Sequence, residues 1–168
     1  ESMKQKVAAI STRGDQPIRQ RTQTVVTERE LNAYLTFELS SGLPEGVVDP
    51  AVTLLGSNRV AGRAVVDLDR MAQSRRASGP FDPMRFLSGR MPVDVTGRVT
   101  SAAGKGSFEL EEAHLGGAPV PKLVLQQLVS YYSRSPERPS GLSLDDAFAL
   151  PASIQEIRLE RGQAIVVQ

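Results

Sequence analysis

Apolar and polar positions along the chain change period several times, and each change marks an element. At Thr27-Glu28-Arg29-Glu30, Thr27 is placed to cap a helix and Glu30 to reach back and close a capping box. Leu31, Tyr34, Leu35 and Leu39 follow at helical spacing, and Gly42 and Pro44 stop the run, which predicts a helix over 28–41. Just before it, Gln20 to Val26 alternates weakly and is rich in Thr and Val, the composition of an edge strand feeding the helix.

After Pro44 the period becomes two. In Val60 to Asp69 the even positions are Val, Gly, Ala, Val and Leu, while the odd ones include Arg63, Asp67 and Asp69, so one face is buried and one is wet. Gly56-Ser57-Asn58-Arg59 joins this run to Val48–Leu55, a turn composition that makes the pair an antiparallel hairpin. Met91 to Thr100 is apolar at odd positions, and Ala103-Gly104-Lys105-Gly106 turns it into Ser107–Leu115, a second hairpin. Within the return strand the apolar parity shifts from Phe108 and Leu110 to Ala113 and Leu115, which predicts a bulge at Glu111-Glu112.

Pro119-Val120-Pro121 leads into a second helix over 121–134, with Val124, Leu125, Leu128, Val129 and Tyr132 as its stripe. Pro136 and Pro139 mark a surface loop, and Leu142 to Phe148 reads as a short helical turn. A third hairpin, 154–159 with 163–167, turns at Glu160-Arg161-Gly162. The sum is an α+β protein: a long curved antiparallel sheet built from hairpins, with two helices packed on one face. Residues 18–168 form its single domain, and 1–17, without apolar periodicity, read as a loose N-terminal arm.

Composition narrows the chemistry. The 168 residues carry 20 basic and 19 acidic side chains, so no global field favours nucleic acid, and only 8 aromatics are available for base stacking. Zero cysteines removes thiol catalysis and cysteine-ligated metals, and a single histidine removes most His-based constellations. His114 reads as a structural or surface residue, because nothing supplies the matching ligand spacing; Ser143 and Asp145 invite a triad with it, but no nucleophile-elbow pattern surrounds any serine. Asp67 and Asp69 read as the solvated face of a strand, and the Asp145-Asp146 pair as a loop. No catalytic residue, metal or cofactor is expected. One local exception to neutrality stands out: residues 70–90 hold Arg70, Arg75, Arg76, Arg85 and Arg90 against Asp82, a charge of +4, interleaved with Phe81, Met84, Phe86 and Leu87. A basic, greasy connection suits contact with an anionic membrane or a partner, through Arg75, Arg76 and Arg85.

Both helices carry more apolar surface than a narrow stripe needs, and two such helices against a curved sheet enclose a cleft. The helix start Thr-Glu-x-Glu-Leu-Asn-x-Tyr-Leu at 27–35, the amphipathic hairpins, the Pro-Val-Pro helix and the terminal hairpin resemble single-module bacterial members of the tubular lipid-binding (TULIP-like) superfamily. That resemblance implies an envelope protein, periplasmic after removal of a leader, that holds a lipid or acyl chain in an apolar groove without catalysis. The expected lining is Leu35, Val66, Val95, Phe108, Leu125, Val129 and Tyr132. The alternative is a protein–protein interaction module of an envelope assembly, using a strand edge or the basic 70–90 loop.

Overall fold

Thr27 and Glu30 exchange hydrogen bonds as the capping pattern requires: the Thr27 amide donates to Glu30 Oε2 at 2.9 Å, and the Glu30 amide to Thr27 Oγ1 at 3.3 Å. The computed structural model describes residues 2–14, 21–37, 46–70, 88–132, 134, 136 and 139–168, with the backbone alone at Leu128, Tyr131 and Tyr132. Its elements are α1 (Met3–Gly14), β1 (Gln23–Thr27), α2 (Glu28–Phe37), β2 (Val47–Gly56), β3 (Arg59–Asp67), β4 (Arg90–Ala102), β5 (Lys105–Leu115), β6 (Ala118–Pro119), α3 (Lys122–Tyr132), β7 (Phe148–Ala149), β8 (Glu156–Glu160) and β9 (Gln163–Val167). The protein is α+β and antiparallel throughout. Strands β2-β3-β4-β5 run in chain order, with β6 and β7 both paired to the far edge of β5; β1-β9-β8 form a second, three-stranded sheet.

The three hairpins fall where the period-two runs placed them, and so does the bulge. Thr96 pairs with Glu112 but Gly97 with Leu110, leaving Glu111 as the extra residue. The slip keeps Phe108 and Leu110 on the same face as Ala113 and Leu115. That face also carries Val60, Gly62, Ala64 and Val66 of β3, opposite Gly97, Val95, Val93 and Met91 of β4. The other face is charged, with Arg63 on Asp94 at 2.6 Å and Glu111 between Arg59 at 2.7 Å and Arg98 at 3.6 Å. The Arg59 hydrogen bond holds the Glu111 carboxyl below the usual carboxylate range.

The core sits where the two sheets meet. Leu54, Leu159 and Ala164 are buried together, with Leu31, Val52, Val60, Val99 and Ile157 against them. Leu31 brings α2 onto the apolar face.

The N-terminal segment corrects the loose-arm reading, because Met3–Gly14 is helical. Met3, Val7 and Ile10 recur at helical spacing, and Ile10 is buried with Ile154 and Val166. A 12-residue helix is marginal by itself, and tertiary contacts hold this one. Lys6 Nζ donates to the Val25 carbonyl and to Glu30 Oε2, both at 2.8 Å, and Gln168 Nε2 donates to the Ile10 carbonyl at 2.7 Å.

Candidate functional site

A cavity of about 960 Å³ lies between β5, the second half of α3 and the segment 139–149. Phe108 of β5 and Val129 of α3 supply two walls; Pro139, Leu142, Leu144, Ala147, Phe148 and Ala149 supply the rest, with Ser140, Ser143 and Asp146 as its polar groups. Phe108 reaches its place because Gly97 is across from it on β4. A Cβ on Gly97 would run into the Phe108 ring and come within 2.6 Å of the Glu109 carbonyl, so glycine there lets the ring lie flat over the strand. Phe148 lies over Gly106 in the same way, where a Cβ would meet ring atom Cε2 at 2.7 Å.

The segment over the cavity is fastened to α3 by side chains. Gln126 accepts a hydrogen bond from the Leu144 amide at 2.7 Å and donates to the Leu142 carbonyl at 3.1 Å, behaving like a strand partner on a helix. Ser130 Oγ donates to the same carbonyl at 3.0 Å, and Lys122 reaches Asp145 at 2.6 Å. Gly141, at a φ of +74°, lies so close to Ser130 that a Cβ would overlap its backbone. At the far end, Phe148 and Ala149 pair with Gly106 and Lys105 of β5. In place of the expected helical turn over 142–148, the segment is an irregular strap with a single turn at 144–145, closed by the Asp146 amide on the Ser143 carbonyl, that ends in the strand Phe148–Ala149. Its large apolar residues, Leu142, Leu144, Phe148 and Leu150, all fall on even positions, with Asp146 interrupting the run. This interrupted even-position pattern is the one local signal for the lining residues of the strap.

Of the expected lining, Phe108 and Val129 come together here. Leu125 lies one helical turn before Val129 and is half-buried. Val66 and Val95 stand on the same apolar face of the sheet, and Leu35 is one turn beyond Leu31 on α2; all three are half-buried and outside the cavity's lining. The Tyr132 side chain and Arg75, Arg76 and Arg85 lie outside the described residues.

The other candidate polar residues have local partners. Asp67 Oδ1 accepts from the Arg70 amide at 3.0 Å and Oδ2 from Arg90 at 3.2 Å, and the first of these bonds holds its carboxyl below the usual range. Asp69 accepts from the Gly89 amide at 3.1 Å. The two carboxylates thus tie down the two ends of the 70–90 connection. His114 pairs in register with Asp94 on β4, whose carboxylate is already joined to Arg63. Among the described residues no group of three or more His, Cys, Asp or Glu side chains gathers to hold a metal ion, and no helix there is long and apolar enough to cross a membrane. Comparison with protein-family models, curated proteins and solved structures yields no match to this chain.

Proposed function

We propose that this protein binds an apolar ligand, a lipid or other acyl chain, non-catalytically in the cavity between α3, β5 and the strap. The observation that carries the reading is a cavity of about 960 Å³ in which large apolar side chains stay wet: Phe148 is 47% exposed and Leu142 41%. Ligand pockets run from about 300 to 1,000 Å³, so a single chain has room. Covering such surface gains roughly 25 cal/mol per Å², and about a dozen methylenes buried at about 0.8 kcal/mol each leave a useful surplus after the cost of ordering the ligand. The TULIP-like resemblance supports the same reading and brings with it an envelope location, with the arginine-rich 70–90 connection touching an anionic membrane surface.

The strand-edge alternative has less to work with. The outer edge of β2 is occupied by α2, where Asn32 Nδ2 donates to the Val52 carbonyl and Asn32 Oδ1 accepts from the Val52 amide, both at 2.7 Å; Glu28 accepts from the Leu54 amide at 2.7 Å.

Native mass spectrometry of gently purified protein, followed by organic extraction, tests the proposal. A bound amphiphile of defined mass is the expected result. A clean protein mass together with no uptake of the neutral dye Nile red would sink it.

A further inference from the structure

Among the described residues that line the cavity, one side chain bears a formal charge, Asp146. The neighbouring carboxylate, Asp145, is engaged by Lys122 at 2.6 Å, so the cation at the start of α3 has its own partner. The backbone that presents Asp146 is held: its amide donates to the Ser143 carbonyl at 3.3 Å, the Leu144 amide is fixed by Gln126 at 2.7 Å, and Phe148 is in register with Gly106. Asp146 is exposed to water and lines the apolar cavity together with Ser140 and Ser143, so its carboxylate is within reach of a head group left at the cavity's opening.

A fixed negative charge at the mouth of an apolar cavity acts on whatever polar group remains at the surface when a chain is buried. It attracts a cation, accepts a hydrogen bond from a hydroxyl or amide, and repels an anion; the repulsion opposes binding more strongly as the mouth becomes drier. We infer that Asp146 is a specificity-determining residue, and that the site takes single-chain amphiphiles with a cationic or neutral head in preference to anionic ones such as free fatty acids. This inference rests on the apolar-site reading above.

The test uses the full chain loaded with Nile red at neutral pH and low salt, displaced by dodecylamine or by dodecanoate below their micelle concentrations. The two competitors share a chain length and differ in head charge. Dodecylamine should displace the dye at roughly three- to tenfold lower concentration, the range expected of a partly exposed charge contact. Asp146→Asn should bring the two within about twofold and Asp146→Lys should reverse the order, while raising salt to about 0.5 M should shrink the parent's preference by screening. Circular dichroism confirms that each variant is folded. Dye bound by the parent but displaced equally well by dodecanoate, or a preference that survives Asp146→Asn, overturns the role of Asp146 and leaves the apolar site standing. A parent that binds no dye overturns both.

Discussion

Glu30 is where sequence and structure meet most closely at the scale of one residue. Its carboxylate accepts from the Thr27 amide at 2.9 Å, from Thr27 Oγ1 at 2.8 Å and from Lys6 Nζ of α1 at 2.8 Å, so one side chain both caps α2 and anchors the N-terminal helix. The Lys6 hydrogen bond, then the Thr27 amide, lower its pKa to about 2 from an ordinary value of 4.5. In the unfolded chain the group takes up its proton near the ordinary value, whereas the folded protein resists until about 2. The stability from Glu30 is thus present in full above about 4.5 and is lost as pH falls from there towards 2. Glu30→Gln keeps the capping geometry but removes the charge contact with Lys6, and should lower the melting temperature at pH 7 by the equivalent of up to about 1 kcal/mol. It should also flatten the acid limb of the melting curve against pH. Parallel acid limbs for parent and variant in a circular dichroism series would show that this carboxylate does not drive the acid response.

At the scale of elements, the two sheets are joined by side chains that take the place of strand partners. Asn58 sits in the β2–β3 turn with Ser57, at φ of +60° and +53°, the left-handed pair that a type I′ hairpin needs. Its amide donates to the Leu159 carbonyl at 3.0 Å, and its Oδ1 accepts from the Leu159 amide at 2.8 Å. Ser101 of β4 does the same for Ile157, accepting from its amide at 2.7 Å and donating to its carbonyl at 2.8 Å. Asn58→Gly retains the turn but leaves the Leu159 amide without its acceptor, an expected loss of about 1–3 kcal/mol in urea unfolding. Asn58→Ala should cost roughly 1 kcal/mol more, because alanine resists the left-handed φ. Equal losses in the two variants would mean that the turn conformation contributes little. The hairpin and its turn were legible because Gly56-Ser57-Asn58 is a local signal, and the Glu111 bulge because it shifts the apolar parity. The division into two sheets was not, since it depends on which strand edges Asn58 and Ser101 meet 101 and 56 residues away. The N-terminal helix was missed for a related reason. Its apolar spacing is short and diluted by lysines, and its stability comes from Ile10 entering a cluster built by the chain's last 20 residues.

At the scale of the molecule, α2 packs against β2 at one side of the large sheet and α3 against β5 at the other, and the cavity opens where α3 meets the strap. Phe108 and Val129 could be read as lining because each lies on an apolar stripe whose period is visible in sequence. Leu142, Leu144 and Phe148 are not legible as lining because a proline-bounded run with two adjacent aspartates resembles a turn, and its path is set by partners distant in sequence, Gln126, Ser130 and Lys122 of α3 and the pairing of Phe148–Ala149 with β5. The cavity's occupancy is the central claim, and Ala147 offers the most direct way to test it. It is exposed, it lines the cavity, and it makes no part of the buried core clusters. Nile red titration of the parent should saturate with a blue-shifted emission, whereas Ala147→Trp, which puts an indole into the part of the cavity beside Phe148, should weaken binding about tenfold, near 1.4 kcal/mol, at an unchanged melting temperature. Binding by Ala147→Trp as tight as the parent's, in a variant that melts at the same temperature, would contradict a ligand site in this cavity.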